Sequence, residues 1–288
     1  MPGTPSHHLA YRLSGVARPV DPNYPTNKAV LILAPLVLIL AGVWSLVQGA
    51  SLVDAGLAGL NAGLVVFLCW ALTRELTPDD NPAAFLAVVI ALAAWARVGP
   101  QSIWMLAAAL IAARLVNRST GLPAKLSDSI VVAIGFGLLT WFVSWTAGVV
   151  GAVALSLDAL LPSKLESRRR HLGFAAAVAL VVAARVLVGI DPVVVPAHLP
   201  VFASIATLGV LAIVCYPTPS STCDINSTPL TRARVRAGLA MGVLTAALVS
   251  LDGGIPLQQV AAVWACVLAV GLGLPLVWMG RLRQRRAG

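Results

Sequence analysis

The sequence predicts an all-α protein, a polytopic bundle of about ten transmembrane helices with the N-terminus and the C-terminus in the cytoplasm. Three observations carry this. Of 288 residues, 59% are hydrophobic and only 11% charged, with a mean hydropathy of +0.89; a soluble domain is about 45–50% apolar and about 25% charged. The apolar runs approach the ~20 residues that cross a bilayer and recur after short breaks. The basic residues gather in alternate breaks, as the positive-inside bias requires. The composition excludes a soluble enzyme, a disordered chain and a nucleic-acid-binding domain. The net charge of +9, from 20 Lys+Arg against 11 Asp+Glu, is therefore a sign of topology and of anionic headgroups at the cytoplasmic face.

Residues 1–28 are polar and contain Pro2, Pro5, Pro19, Pro22 and Pro25, which reads as a flexible or extended cytoplasmic arm. The first apolar run begins only at Ala29 and is too long for the core of a secretory signal, so it is a retained span. Ten spans follow: Ala29–Val47, Leu52–Thr73, Ala83–Ala96, Ser102–Val116, Ser129–Thr146, Val149–Leu161, Leu172–Ile190, Val201–Tyr216, Ala237–Leu251 and Leu257–Met279. They make a transmembrane domain over 29–279, followed by a basic cytoplasmic tail, 280–288. Helix is the expected state, because the runs lack period-two alternation and a backbone in lipid must satisfy its own hydrogen bonds. Spans three, four and six are short, at about 13–15 residues; they extend into their flanks or form a re-entrant pair, with Gly99-Pro100 at the tip.

Sidedness follows from the charges. With the N-terminus inside, the cytoplasmic segments hold Arg12, Arg18 and Lys28; Arg74; Arg114, Arg118 and Lys125; Lys164 and Arg168 to Arg170; Arg232, Arg234 and Arg236; and Arg281, Arg283, Arg285 and Arg286. That is 18 of the 20 basic residues, leaving Arg97 and Arg185 toward the other side. This places the protein in a bacterial-type inner membrane as a multi-pass chain. Trp44, Trp70, Trp104, Trp141, Trp145 and Trp278 lie mostly toward span ends, like an interfacial belt.

Three sets of polar residues are candidates for chemistry. The loop after span two carries Glu75, Asp79 and Asp80, the one net-acidic cytoplasmic connection. Clustered carboxylates bind Mg²⁺ and through it a phosphate; they also cap a helix held by Pro78 and Pro82. One hairpin later, Arg114, Asn117 and Arg118, with Ser119, Thr120 and Gly121, make an anion-binding loop; equally, Arg114 and Arg118 reach to headgroups while Gly121 ends the helix. The third set comprises the charges within or near spans, Asp54, Asp158, Arg185 and Asp252, beside Asn61 and Gln258-Gln259. Charge at depth costs about 2.5–3.5 kcal/mol on insertion scales. Arg185 is placed to pair with Asp54 or Asp252, and Asp158 to face Lys164 or Arg168. The stretch Pro217–Pro229 is a low-complexity polar loop, read as a flexible connection. The four histidines and four cysteines have no metal or disulfide spacing.

The ten-helix layout with both ends inside is similar to that of small drug/metabolite transporters, without a residue motif. The acidic loop resembles those of membrane prenyltransferases of the UbiA type, which keep two Asp-rich motifs with aspartates at helical spacing; this chain has one cluster, with Asp79 and Asp80 adjacent. Three functions stay open: a small-solute transporter using Arg185 with Asp54 or Asp252; an enzyme acting on a lipid-linked or prenyl phosphate, with Mg²⁺ on Glu75, Asp79 and Asp80 and the phosphate on Arg114, Asn117 and Arg118; and a non-catalytic membrane scaffold.

Overall fold

The computed structural model describes residues 9–162, 168–189, 193–196 and 198–287. Eleven α-helices are formed among them: α1 Leu9–Leu13, α2 Pro25–Val47, α3 Leu52–Leu76, α4 Asn81–Val98, α5 Ile103–Asn117, α6 Leu126–Phe142, α7 Trp145–Leu160, α8 Arg168–Leu187, α9 Leu199–Cys215, α10 Arg232–Ser250 and α11 Ala261–Ala287, the last entered through a 3-10 turn, Leu257–Val260. Six segments are long and apolar enough to cross a membrane: α2, α3, α4, α8, α10 and Leu257–Met279. The apolar helices α5, α6, α7 and α9 are shorter, at 15, 17, 16 and 17 residues.

The helix ends follow local chemistry. Ser51 caps α3 by accepting from Asp54 N at 3.1 Å. Asp80 caps α4, accepting from Ala83 N at 3.1 Å, with Pro82 in its first turn. This turn extends the third span at its start, and α4 runs on to the Gly99 cap at its finish, so it reaches 18 residues. α5 ends at Asn117, earlier than Gly121, because Arg118 takes a left-handed conformation at φ 51°. A non-glycine residue there is uncommon, and what Arg118 gains is described below.

Two apolar cores share α5, α7 and α10. One joins α2, α3, α4, α5, α7, α9, α10 and α11 around Leu72, Leu76, Met105, Leu106, Leu239 and Cys266. The other joins α5, α6, α7, α8 and α10 around Leu115, Phe136, Leu155 and Met241. α2 lies along α3 where Gly59 and Gly63, four apart, admit Leu38 and Ala34; a Cβ at Gly59 would overlap the Leu38 carbonyl. The outward faces of α2, α6 and α9 carry Ile32, Leu40, Val131, Ile134, Val210 and Val214, all exposed. A broad exposed apolar surface of this kind suits lipid rather than water.

Consecutive helices run antiparallel, so one end of the bundle gathers the starts of α2, α4, α6, α8 and α10 and the finishes of α3, α5, α7 and α9. This is called the basic end. At the opposite end the α4–α5 tip, Gly99 to Ser102, is recessed: Gln101 is bonded to Asn61 and to Ala262 N. Asn61 lies well inside α3, roughly 14 Å of helix from its start at 1.5 Å per residue. The step leaves a cleft of about 560 Å³ lined by Asp54, Asn61, Pro100 and Ile103 among apolar neighbours.

Candidate functional site

Two linked ion-pair groups close the basic end. The deeper one centres on Asp158, on α7, which is fully buried. Its carboxylate accepts from Arg118 Nε at 2.6 Å and Nη2 at 2.8 Å, from Arg234 Nη1 at 2.8 Å and from His171 Nδ1 at 2.6 Å. The other ring nitrogen of His171, Nε2, lies 2.8 Å from Ser129 Oγ. Four helices thus meet at one carboxylate, α5 through its Arg118 cap, α7, α8 and α10, and α6 joins them through His171. The left-handed turn at Arg118 aims its guanidinium edge-on at Asp158, and the bidentate contact offsets the backbone cost. Arg234 spends the rest of its fork on the carbonyls of Val116 and Leu161. Asp158 was expected to face Lys164 or Arg168; its partners are instead Arg118, Arg234 and His171, and Lys164 lies outside the described residues.

The second group centres on Glu75, at the end of α3 and buried. Arg114 Nε is 3.2 Å from Glu75 Oε1 and Arg18 Nη1 is 3.4 Å from the same oxygen. Asn117 Nδ2 donates to the Glu75 carbonyl at 2.6 Å. Arg18 turns its remaining nitrogens to Asp224, at 2.6 and 2.7 Å. Burial opposes the Arg18 charge, but Glu75 and Asp224 outweigh it and hold the guanidinium more firmly protonated than usual. Burial and then Asp224 push the Tyr11 hydroxyl up to about 12.

Two segments, the arm expected to be flexible or extended and the loop expected to be a flexible connection, take defined partners here. The arm from Leu9 to Tyr24 crosses the basic end: Gly15 N donates to Asp128 Oδ2 at 2.7 Å, Thr120 Oγ1 donates to Gly15 O at 2.6 Å, and Arg18 makes the ion pairs above. The loop Pro217–Pro229 is pinned by Asp224 N to Ser119 O, Ile225 N to Thr120 O and a turn closed by Cys223 N to Thr228 O. Both are short-range polar sequences with no periodic signal, so only their distant partners reveal the order.

The predicted set is divided. Glu75, Arg114 and Asn117 come together, while Arg118 turns away to Asp158. Asp79 accepts from Ser220 N, Ser221 N and Ser221 Oγ at 2.9, 2.9 and 2.6 Å; burial works against its charge, but these donors hold its carboxyl below the usual range. Asp80 caps α4, and its other oxygen lies against Gly273 of α11; burial, only partly countered by Ala83 N, raises its carboxyl. Each carboxylate of the acidic loop is thus engaged elsewhere, and among the described residues no three His, Cys, Asp or Glu side chains converge as metal ligands. The residues do not fit the Mg²⁺ cluster considered from sequence.

At the other end, Asp54 bonds Ser51 Oγ at 2.6 Å, Asp252 is held by Ser144 Oγ and Gly254 N, and Arg185 donates to Gly189 O at 3.3 Å. Asn61 satisfies Trp95 and Gln101. Sequence reasoning missed Arg18, Ser129, His171, Asp224 and Arg234. One cue existed: Ser129, His171 and Arg234 each fall in the first turn or so of an apolar helix, where a polar side chain is drawn inward with the span.

Arg114 differs from its neighbours. It commits Nε to Glu75, and its two terminal nitrogens make no hydrogen bond among the described residues, with the side chain 19% exposed. Comparison with protein-family models, with curated proteins and with solved structures finds no match.

Proposed function

We propose that the chain is an inner-membrane protein of ten crossings with both termini in the cytoplasm, and that its basic end binds the anionic headgroup of a phosphate-bearing lipid at the cytoplasmic interface. The observation that carries this is the distribution of buried charge. Every buried Asp, Glu, His or Arg side chain among the described residues except Asp252 lies at the basic end: Glu75, Asp80, Arg118, Asp128, Asp158, His171 and Arg234. Among the described residues the middle of the bundle, where carriers place their substrate, holds apolar side chains with Cys69, Cys266 and hydroxyls such as Thr245 bonded to backbone carbonyls. Arg118 and Arg234 against Asp158 leave the deeper group with one positive charge in excess. Arg114, with an open guanidinium edge, is placed to take a phosphate oxygen pair, which planar arginine does well.

A solute-carrier reading has less behind it, since Asp54 is taken up by Ser51 and Asp252 by Ser144 and Gly254. A purely structural role explains the satisfied contacts of Asp158 but not the open edge of Arg114.

The test uses the whole protein in phosphatidylcholine nanodiscs, with phosphatidic acid or inorganic phosphate added and phosphorus NMR as readout. Saturable broadening with phosphatidic acid is expected. Equal behaviour with and without phosphatidic acid overturns the reading; saturation by inorganic phosphate alone moves the site from lipid to a soluble anion and also overturns it.

A further inference from the structure

We infer that Ser129, His171 and Asp158 form an acyl-transfer triad that hydrolyses an ester in a lipid, held closed in this structure by the N-terminal arm. The inference rests on the lipid-headgroup reading of the basic end and adds the reacting bond. The two ring nitrogens of His171 face different partners, Nδ1 toward Asp158 Oδ2 at 2.6 Å and Nε2 toward Ser129 Oγ at 2.8 Å. The three residues come from α7, α8 and α6, so no local pattern aligns them; three separate helices must be positioned to do so. These are the roles a covalent mechanism needs: a hydroxyl nucleophile, a base in reach of it, and a carboxylate that fixes the ring and leaves Nε2 as acceptor. The double arginine clamp on Asp158 locks the carboxylate that orients the ring. Ser129 also stands in the first turn of α6, where the helix dipole favours developing negative charge.

The centre is shut. Ser129 and His171 are fully buried, and Ser129 Oγ has a second acceptor, Lys125 O, at 2.9 Å. The arm sits on the adjoining residue through Gly15 N to Asp128 and is tied down by Arg18 on Asp224 and Glu75. Lifting the arm releases the Gly15 contact on Asp128, the residue before Ser129 at the start of α6. In the open state Ser129 Oγ attacks the ester carbonyl carbon as its proton passes to Nε2. The tetrahedral adduct expels the alcohol, which takes that proton, leaving acyl-Ser129. Water, deprotonated by Nε2, then releases the acid and restores Ser129, so ester and water become acid and alcohol.

The experiment treats the full chain in nanodiscs with a biotinylated fluorophosphonate and quantifies modified Ser129 by peptide mass spectrometry. Wild type labels slowly; Arg18→Ala, which frees the arm, labels about tenfold faster; Ser129→Ala is unlabelled at this peptide; and His171→Gln labels at least about 10²-fold more slowly. As His171→Gln also removes a packing contact, the rate in Arg18→Ala is followed against pH, where base-assisted attack gives a pH-dependent rate and a structural hydroxyl a flat profile. Unmodified Ser129 in both wild type and Arg18→Ala, or a flat profile, overturns the inference. Phosphatidic acid binding with no labelling rejects the triad alone, and labelling without binding rejects the headgroup reading alone.

Discussion

Asp158→Asn is the sharpest perturbation available. The native carboxylate accepts four hydrogen bonds, at 2.6, 2.8, 2.8 and 2.6 Å, from Arg118, Arg234 and His171. Asparagine keeps one acceptor oxygen and presents an NH₂ group to donors. Two guanidinium groups that are less than a tenth exposed then lose their only carboxylate within this group. Removing one partner of a buried ion pair costs about 3–5 kcal/mol, mostly the penalty of stranded charge. At about 2–4 °C per kcal/mol for a chain of this size, the melting temperature drops by roughly 10 °C. Thermal unfolding followed by circular dichroism in detergent measures it. Arg234→Gln in the same background removes one stranded charge, so the double variant falls short of additivity by about 0.5–3 kcal/mol. A loss below about 1 kcal/mol, or strict additivity, would show that these contacts do not bear on stability and refute the reasoning.

Arg114→Lys keeps a cation beside Glu75 but loses the open fork, so phosphatidic acid binding weakens about tenfold at nearly unchanged melting temperature; unchanged affinity in the nanodisc titration counts against the site. Gly238→Ala places a methyl against Asn117 Oδ1 and Cγ and costs about 1–3 kcal/mol, while Gly56→Ala, with nothing near its added Cβ, is neutral or stabilising by up to about 1 kcal/mol; paired thermal melts decide this, and equal effects would mean α5 and α10 are not in contact as described. Asp79 and Asp80 respond oppositely to pH. Because the folded-state value of Asp79 is depressed, its contribution is full above the ordinary carboxylate range near pH ~4 and fades as pH falls through the lower folded value. Asp79→Asn therefore costs no more than about 1 kcal/mol at neutral pH after solvent screening, and the difference closes in acid. Asp80 is raised, so its ionised form is the disfavoured one and stability declines as pH rises through its titration; Asp80→Asn, which keeps the cap, is neutral or stabilising at pH 7. Melts of both variants across pH 3–8 show the contrast, and parallel profiles contradict it.

Hydropathy and helix-end chemistry made the all-helical, membrane-suited class and the positions of the apolar helices legible in the sequence. Both depend on residues a few positions apart: a run of apolar side chains, a proline, an aspartate before a first turn. The start of α4 shows the scale of the error, a few residues lost because Asn81 and Pro82 look like loop until Asp80 is seen capping them. The candidate site was legible only as an inventory. Glu75, Arg114 and Asn117 were singled out for their charge and do meet, yet nothing local told Arg118 to turn away or Asp79 and Asp80 to take separate partners. Asp158 finds its partners 40, 13 and 76 residues away. A charge buried in an apolar bundle takes whichever counter-charge the packing delivers, and that is decided by how helices cross. For the same reason the arm and the Pro217–Pro229 loop looked free: polar chains with no core-facing periodicity become ordered only when a distant Glu75, Asp79 or Asp128 receives them.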